Sequence, residues 1–115
     1  MNWKILDSVE QLDEIRQRSA NVPCVLFKHS TTCSISITAK MRFEEAWDFS
    51  DSEMEAYYLD LLRFRPISGA IAAQFDVHHE SPQVLLIRNG KCVYDASHLD
   101  IHVRELHEVL EGKLN

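Results

Sequence analysis

Cys33 stands in the run Thr32-Cys33-Ser34-Ile35-Ser36, just after a polar turn that follows the apolar Val25-Leu26-Phe27. Strand, turn, thiol and helix in that order carry a sulfur to a helix end, where backbone N–H groups lack intrahelical partners and the dipole is positive. Both features favour the thiolate, which is the nucleophilic form of cysteine and only a few per cent of an ordinary thiol at neutral pH. The Cys33-x-x-Ser36 spacing is that of a C-x-x-C redox pair with a hydroxyl in place of the second sulfur. No disulfide can close across it. The amides of Ile35 and Ser36 and the Ser36 hydroxyl, one helical turn on, are expected to hydrogen-bond the thiolate. Lys28 and His29 can add positive charge, but side chains alternate along a strand, so only one of them faces Cys33. A cysteine at a helix start can also be a small core residue, and the residues alone leave both readings open.

Two further thiols are candidates for resolving a Cys33 disulfide. Cys24 begins the same strand, which at ~3.3 Å per residue leaves it nearly 20 Å from Cys33. Cys92 falls two residues beyond the Asn89-Gly90 turn and is expected opposite Ile87, away from Pro82 at the other end of that strand. A disulfide needs Cα atoms within ~7 Å, so both are read as structural. His78, His79 and Glu80 invite a metal reading, but neighbours in an extended loop point apart and zinc wants three or four converging ligands. No metal site is assigned; these histidines are expected to pack and hydrogen-bond the loop carrying Pro82. His98, His102 and His107 are read as surface residues, and Arg63 with Arg65 as a solvated loop edge.

The elements that must hold these groups follow from periodicity. Trp3 to Leu6 reads as a first strand. Ser8-Val9-Glu10-Gln11 fits a capping box before a helix running to about Ser19, with Val9, Leu12 and Ile15 on its apolar stripe. After the organising strand comes the Cys33 helix, with Ile35, Ala39, Phe43 and Ala46 or Trp47 on one face. Ala56 to Leu62 is aromatic and aliphatic and predicts a strand. Pro66 suits the first position of a helix with Ile67, Ala70, Ile71 and Phe75 inward. Val84 to Ile87 is apolar on both faces, as in the middle of a covered sheet. Asn89-Gly90 then turns the chain into a strand from Lys91 to about Ala96. Asp100 is the expected cap of a last helix bearing Val103, Leu106, Val109 and Leu110, with Gly112 past its end. Strand, helix, strand, helix, strand, helix, hairpin and helix make an α/β three-layer α/β/α sandwich with a mixed central sheet and a C-terminal hairpin plus helix.

A length of 115 residues suits one domain, residues 1–115, with a single core. The net charge of −6 speaks against a nucleic-acid surface, which needs clustered Lys and Arg. No apolar run approaches the ~20 residues of a membrane span, and the start carries no basic-then-apolar leader. A cytoplasmic, membrane-free protein is expected. Three cysteines, an odd number, do not make a disulfide framework.

With that element order, a C-x-x-S at the second strand–helix junction and Ser81-Pro82 before the hairpin, the chain resembles the thioredoxin superfamily, in which this proline is cis and faces the reactive sulfur. Within it, Phe27-Lys28-His29-Ser30-Thr31-Thr32-Cys33-Ser34-Ile35-Ser36 and Val77-His78-His79-Glu80-Ser81-Pro82-Gln83 resemble the monothiol bacilliredoxins of low-GC Gram-positive bacteria. The family pattern usually reads T-C-P-I-S, and Ser34 here replaces its proline. The resemblance implies a thiol-disulfide oxidoreductase that removes bacillithiol, a glucosamine–malate thiol, from protein mixed disulfides. Cys33 and Ser36 would be its catalytic residues, and Thr32, Ser34, Ser81 and Pro82 its substrate-binding residues. It implies no tightly bound cofactor, bacillithiol as co-substrate, and bacillithiolated proteins and a recycling low-molecular-weight thiol as partners. The alternative is a thioredoxin-fold binding or iron–sulfur carrier module. The iron–sulfur C-G-F-S motif is not matched by Ser34-Ile35, and the threonine-valine-proline and double-glycine segments of glutathione-binding relatives are absent.

Overall fold

A computed structural model describes residues 1–113; the domain expected over 1–115 extends past that range. The elements in chain order are β1 (Trp3–Ile5), α1 (Gln11–Arg18), β2 (Cys24–His29), α2 (Ser34–Ala46), β3 (Glu55–Asp60), α3 (Arg65–Phe75), β4 (Gln83–Arg88), β5 (Lys91–Ser97), a 3-10 turn (His98–Asp100) and α4 (Val103–Leu110). They form the three-layer α/β/α sandwich of the thioredoxin fold around a five-stranded mixed sheet in the order β1-β3-β2-β4-β5. β2 pairs parallel with β3 and antiparallel with β4, so it is central and all six of its residues are buried.

Alternation along the strands divides the core in two. Val25 and Phe27 of β2, with Val84 and Leu86 of β4, pack under Ala39 and Phe43 of α2 and Val103, Leu106 and Val109 of α4. Cys24 and Leu26, with Leu85 and Ile87, pack on the other side against Leu12 and Ile15 of α1 and Ile67, Ile71 and Phe75 of α3. The same alternation sends the last two residues of β2 to opposite faces, His29 under α2 and Lys28 toward α3. Parallel β2 and β3 end together at His29 and Asp60, and the turn from His29 into α2 puts Cys33 at this edge of the sheet.

Several boundaries differ from the expectations. β3 starts at Glu55 and stops at Asp60, short of Leu62. Regular α1 starts at Gln11; the Gln11 side chain accepts the Ser8 N–H at 2.9 Å, one half of the expected capping box, while no side chain caps the helix. Asp100 does not cap α4. It lies in the 3-10 turn, and His102 is the residue before α4. Ile101 and Val103 are both buried, and the extended backbone at Ile101 and His102 that seats them delays the helix. In α2 the inward residues are Ser36, Ala39 and Phe43, at helical intervals of three and four. Ile35 is 44% exposed, because it lies one residue, about 100°, off that stripe.

Candidate functional site

Cys33 is the N-cap of α2, with extended φ −102° and ψ 120°. Its N–H closes the turn onto the Ser30 carbonyl at 3.2 Å, and its own carbonyl accepts the Ile37 N–H at 3.0 Å. The thiol is half-buried, with exposed Thr32 and Ser34 on either side. It makes no capping hydrogen bond to the helix amides. The expected bonds from the Ile35 and Ser36 amides are therefore absent, and the helix acts on the sulfur only through its positive end, an effect that falls off within one turn.

Ser36 differs from expectation too. It is fully buried, and its hydroxyl is committed to β2, accepting the Ser30 N–H at 3.0 Å and lying 2.6 Å from His29 Nδ1. The three groups are all satisfied when the hydroxyl donates to Nδ1. Ser36 thus ties the first turn of α2 to the strand end that delivers Cys33, which makes it a positioning residue. Of Lys28 and His29, one faces this side, as alternation requires, and it is His29. It adds no positive field, because burial and the nearby Lys40 ammonium lower its pKa and keep it neutral.

Pro82 is buried and its peptide bond with Ser81 is cis. The register Lys28↔Gln83 between β2 and β4 puts Pro82 next along, beside His29, so the proline and Cys33 share one edge of the sheet. The Pro82 carbonyl accepts the His98 N–H at 3.0 Å, and Gln83, fully buried, holds the preceding loop by donating to the His78 carbonyl at 3.0 Å. Of the paired histidines, His79 is exposed on one side and meets Lys28 Nζ at 3.1 Å on the other. His78 projects into solvent, 91% exposed. Among the described residues no group of three His, Cys, Asp or Glu side chains could hold a metal ion. His98 and His102 are exposed. His107 is not simply a surface residue, since it stacks on Phe49 and bonds Asp48 at 2.6 Å.

The other thiols are held away by the sheet. Cys24 pairs with Ile87 and Ile87 with Cys92, so these sulfurs flank one residue at the strand ends remote from Pro82. Burial pushes both thiols up to about 12. All three cysteines are free. Sequence reasoning missed the contact of Lys28 with His79 and the nearby Ser68 hydroxyl. The available signal was a lysine near the end of an otherwise apolar strand.

The comparisons agree with this geometry. Among solved structures, a proposed oxidoreductase with a thioredoxin fold is 31% identical, with a TM-score of 0.80 over 94% of this chain and 93% of its own. Thioredoxin of Fasciola hepatica matches at 18% identity and TM-score 0.69 over 96% and 98% of the two chains. Thioredoxin of Trypanosoma brucei brucei matches at 16% and 0.69 over 96% and 92%. The two thioredoxins share the fold. The family model described as monothiol bacilliredoxin BrxC matches residues 4–106, and the chain belongs to the monothiol bacilliredoxin family, whose function is thiol redox chemistry.

Proposed function

We propose that the chain reduces mixed disulfides between protein cysteines and bacillithiol by a one-thiol route in the cytoplasm. The observation that carries this is the arrangement of its three thiols: half-buried Cys33 caps α2 at the Pro82 edge, while Cys24 and Cys92 lie at the far ends of their strands. The Cys33 thiolate attacks the bacillithiol sulfur of the mixed disulfide. The old S–S bond breaks, its electron pair leaves on the target protein's sulfur, and that sulfur takes up a proton. Cys33 is left joined to bacillithiol. With Ser36 in the position of a second cysteine, an external low-molecular-weight thiol must attack this disulfide to restore Cys33. Thr32 and Ser34 beside the sulfur, and Ser81 and Pro82 across from it, are the residues proposed to contact the bound disulfide.

The test offers one target protein capped with bacillithiol and, separately, with glutathione. Faster release from the bacillithiol form, abolished in Cys33→Ser and retained in Cys24→Ser and Cys92→Ser, is the expected result. Release that survives in Cys33→Ser would overturn the mechanism, and equal rates with both caps would overturn the substrate.

A further inference from the structure

The α3 side of the same sheet edge holds a cluster of donors that the thiol chemistry does not use. Lys28 is fully buried, and its Nζ lies 3.1 Å from His79 Nδ1. The Ser68 hydroxyl lies 3.3 Å from that nitrogen. An ammonium donates and cannot accept, so Nδ1 is the acceptor and the neutral ring carries its proton on Nε2. Burial and the Lys28 charge hold His79 below its ordinary pKa, which keeps the ring neutral. Arg65, Ser68 and Gly69 of α3, with Leu61 and His79, line a cavity of about 220 Å³. Leu61 donates its N–H to the His29 carbonyl at 3.0 Å, so the cavity lies at the strand end that leads to Cys33.

Among the described residues no carboxylate pairs with Lys28 or Arg65. Glu80, next to His79, is turned to His78 and His98 at 3.9 and 3.7 Å. Asp60 Oδ1 accepts the Arg63 N–H at 3.4 Å. A buried ammonium without a counter-charge is costly, and a site with positive and donor groups but no acid is complementary to an anion.

We propose that this cavity is a carboxylate-binding site. The Arg65 guanidinium offers a planar fork matched to a carboxylate. Ser68 offers a hydroxyl and His79 its Nε2–H, with Lys28 behind the ring as counter-charge. The carboxylate is either that of a free small acid or the acid end of the low-molecular-weight thiol; the second source rests on the proposed function above.

Two measurements test this. Titration of the whole protein with malate, followed by amide NMR shifts, is expected to give saturable shifts at Ser68, Gly69 and His79, with affinity about tenfold weaker in Arg65→Gln once a charge-assisted contact is lost. Lys28→Met should weaken binding as well; should that variant not fold, exposed Arg65→Gln carries the test alone. Absence of saturable shifts, or equal affinity in Arg65→Gln, overturns the site. A second arm compares one target protein capped with bacillithiol or with uncharged 2-mercaptoethanol. A raised KM in Arg65→Gln for the bacillithiol cap alone assigns the thiol's acid as the source. Saturable malate binding with KM unchanged for both caps assigns a free acid. If the wild-type protein reduces neither substrate, the proposed function fails while the malate titration still decides the cavity.

Discussion

The hydroxyl of Ser36 lies 2.6 Å from Nδ1 of His29 and accepts the N–H of Ser30 at 3.0 Å. One side chain thus joins the first turn of α2 to the end of β2 across the turn that carries Cys33. The position taken by a second sulfur in a C-x-x-C pair is used here to hold the first one in place.

Ser36→Ala would leave the Ser30 N–H and His29 Nδ1 without partners in a buried site, which costs about 1–3 kcal/mol for such a group. Urea denaturation is expected to show a stability loss in that range. Disulfide reduction should slow without being abolished, because Cys33 remains. Unchanged stability would mean that water or relaxation replaces both bonds.

Labelling of native protein with iodoacetamide at pH 8 is expected to modify Cys33 well before Cys24 or Cys92. Those two are buried or half-buried, and their thiols are pushed up to about 12 by desolvation, so almost none of either is thiolate at that pH. Peptide mass spectrometry against time reads the order directly. Cys24 or Cys92 reacting first would contradict the packing.

Ser34→Pro, which restores the family's T-C-P-I-S, is expected to raise stability by about 0.4–1 kcal/mol. Ser34 is the first residue of α2 and Cys33 before it is extended, at φ −102° and ψ 120°. Proline suits that helical position, and the residue preceding a proline prefers that conformation. Guanidinium denaturation checks it. A destabilised variant would show that the Ser34 N–H or hydroxyl matters more than the chain entropy removed.

Lys28→Met is expected to stabilise the protein at neutral pH. Burial lowers the Lys28 ammonium to about 8, so the folded state holds its proton less tightly than the unfolded chain. Between about pH 8 and 10.5 the unfolded state binds more protons, and stability contributed by this group rises with pH. Below that window the penalty is fully present, on the order of 3 kcal/mol by the linkage relation. Denaturation curves at pH 7 and pH 10 should show the advantage of Lys28→Met shrinking at the higher pH. An advantage that is constant with pH would place the effect in packing.

Acidification is expected to destabilise the fold in two steps. Buried His29 is held below its ordinary pKa, so the unfolded chain takes up that proton first and stability falls as pH drops below ~6.5. Glu55 is buried and bonded by Arg18 Nε at 2.7 Å and the Tyr57 hydroxyl at 2.8 Å. The Arg18 hydrogen bond is the main cause holding it down to about 2. Its contribution is present above the unfolded carboxylate value and is lost as pH falls from ~4.5 toward 2. Because Arg18 is half-exposed, solvent screening reduces that contribution to roughly 1–2 kcal/mol. Glu55→Gln should flatten the lower step and leave the upper one. A flat stability profile below pH 4.5 in the wild-type protein would contradict the Glu55 assignment.

The element order and the remoteness of Cys24 and Cys92 were legible in the chain, from local periods, turn residues and the ~3.3 Å rise of a strand. The place of Pro82 beside Cys33 was implied by the family resemblance, and only the strand order puts β2 at the centre of the sheet. Alternation even told that Lys28 and His29 part company. The partners of polar atoms were not legible. Ser36 was read as a ligand of the thiolate because it lies one turn from Cys33, yet the phase of α2 buried it against His29, and helix phase is set by what Phe43 and Ala39 pack on. Asp100 looked like a helix cap until Ile101 and Val103 required an extended segment to reach the core. Lys28, His79 and Ser68 lie far apart in the chain and carry no shared pattern; the sheet register and the docking of α3 alone bring them within hydrogen-bonding distance. Local sequence determines where the thiol sits, and tertiary packing decides which groups surround it, because hydrogen bonds are short and their partners come from distant segments.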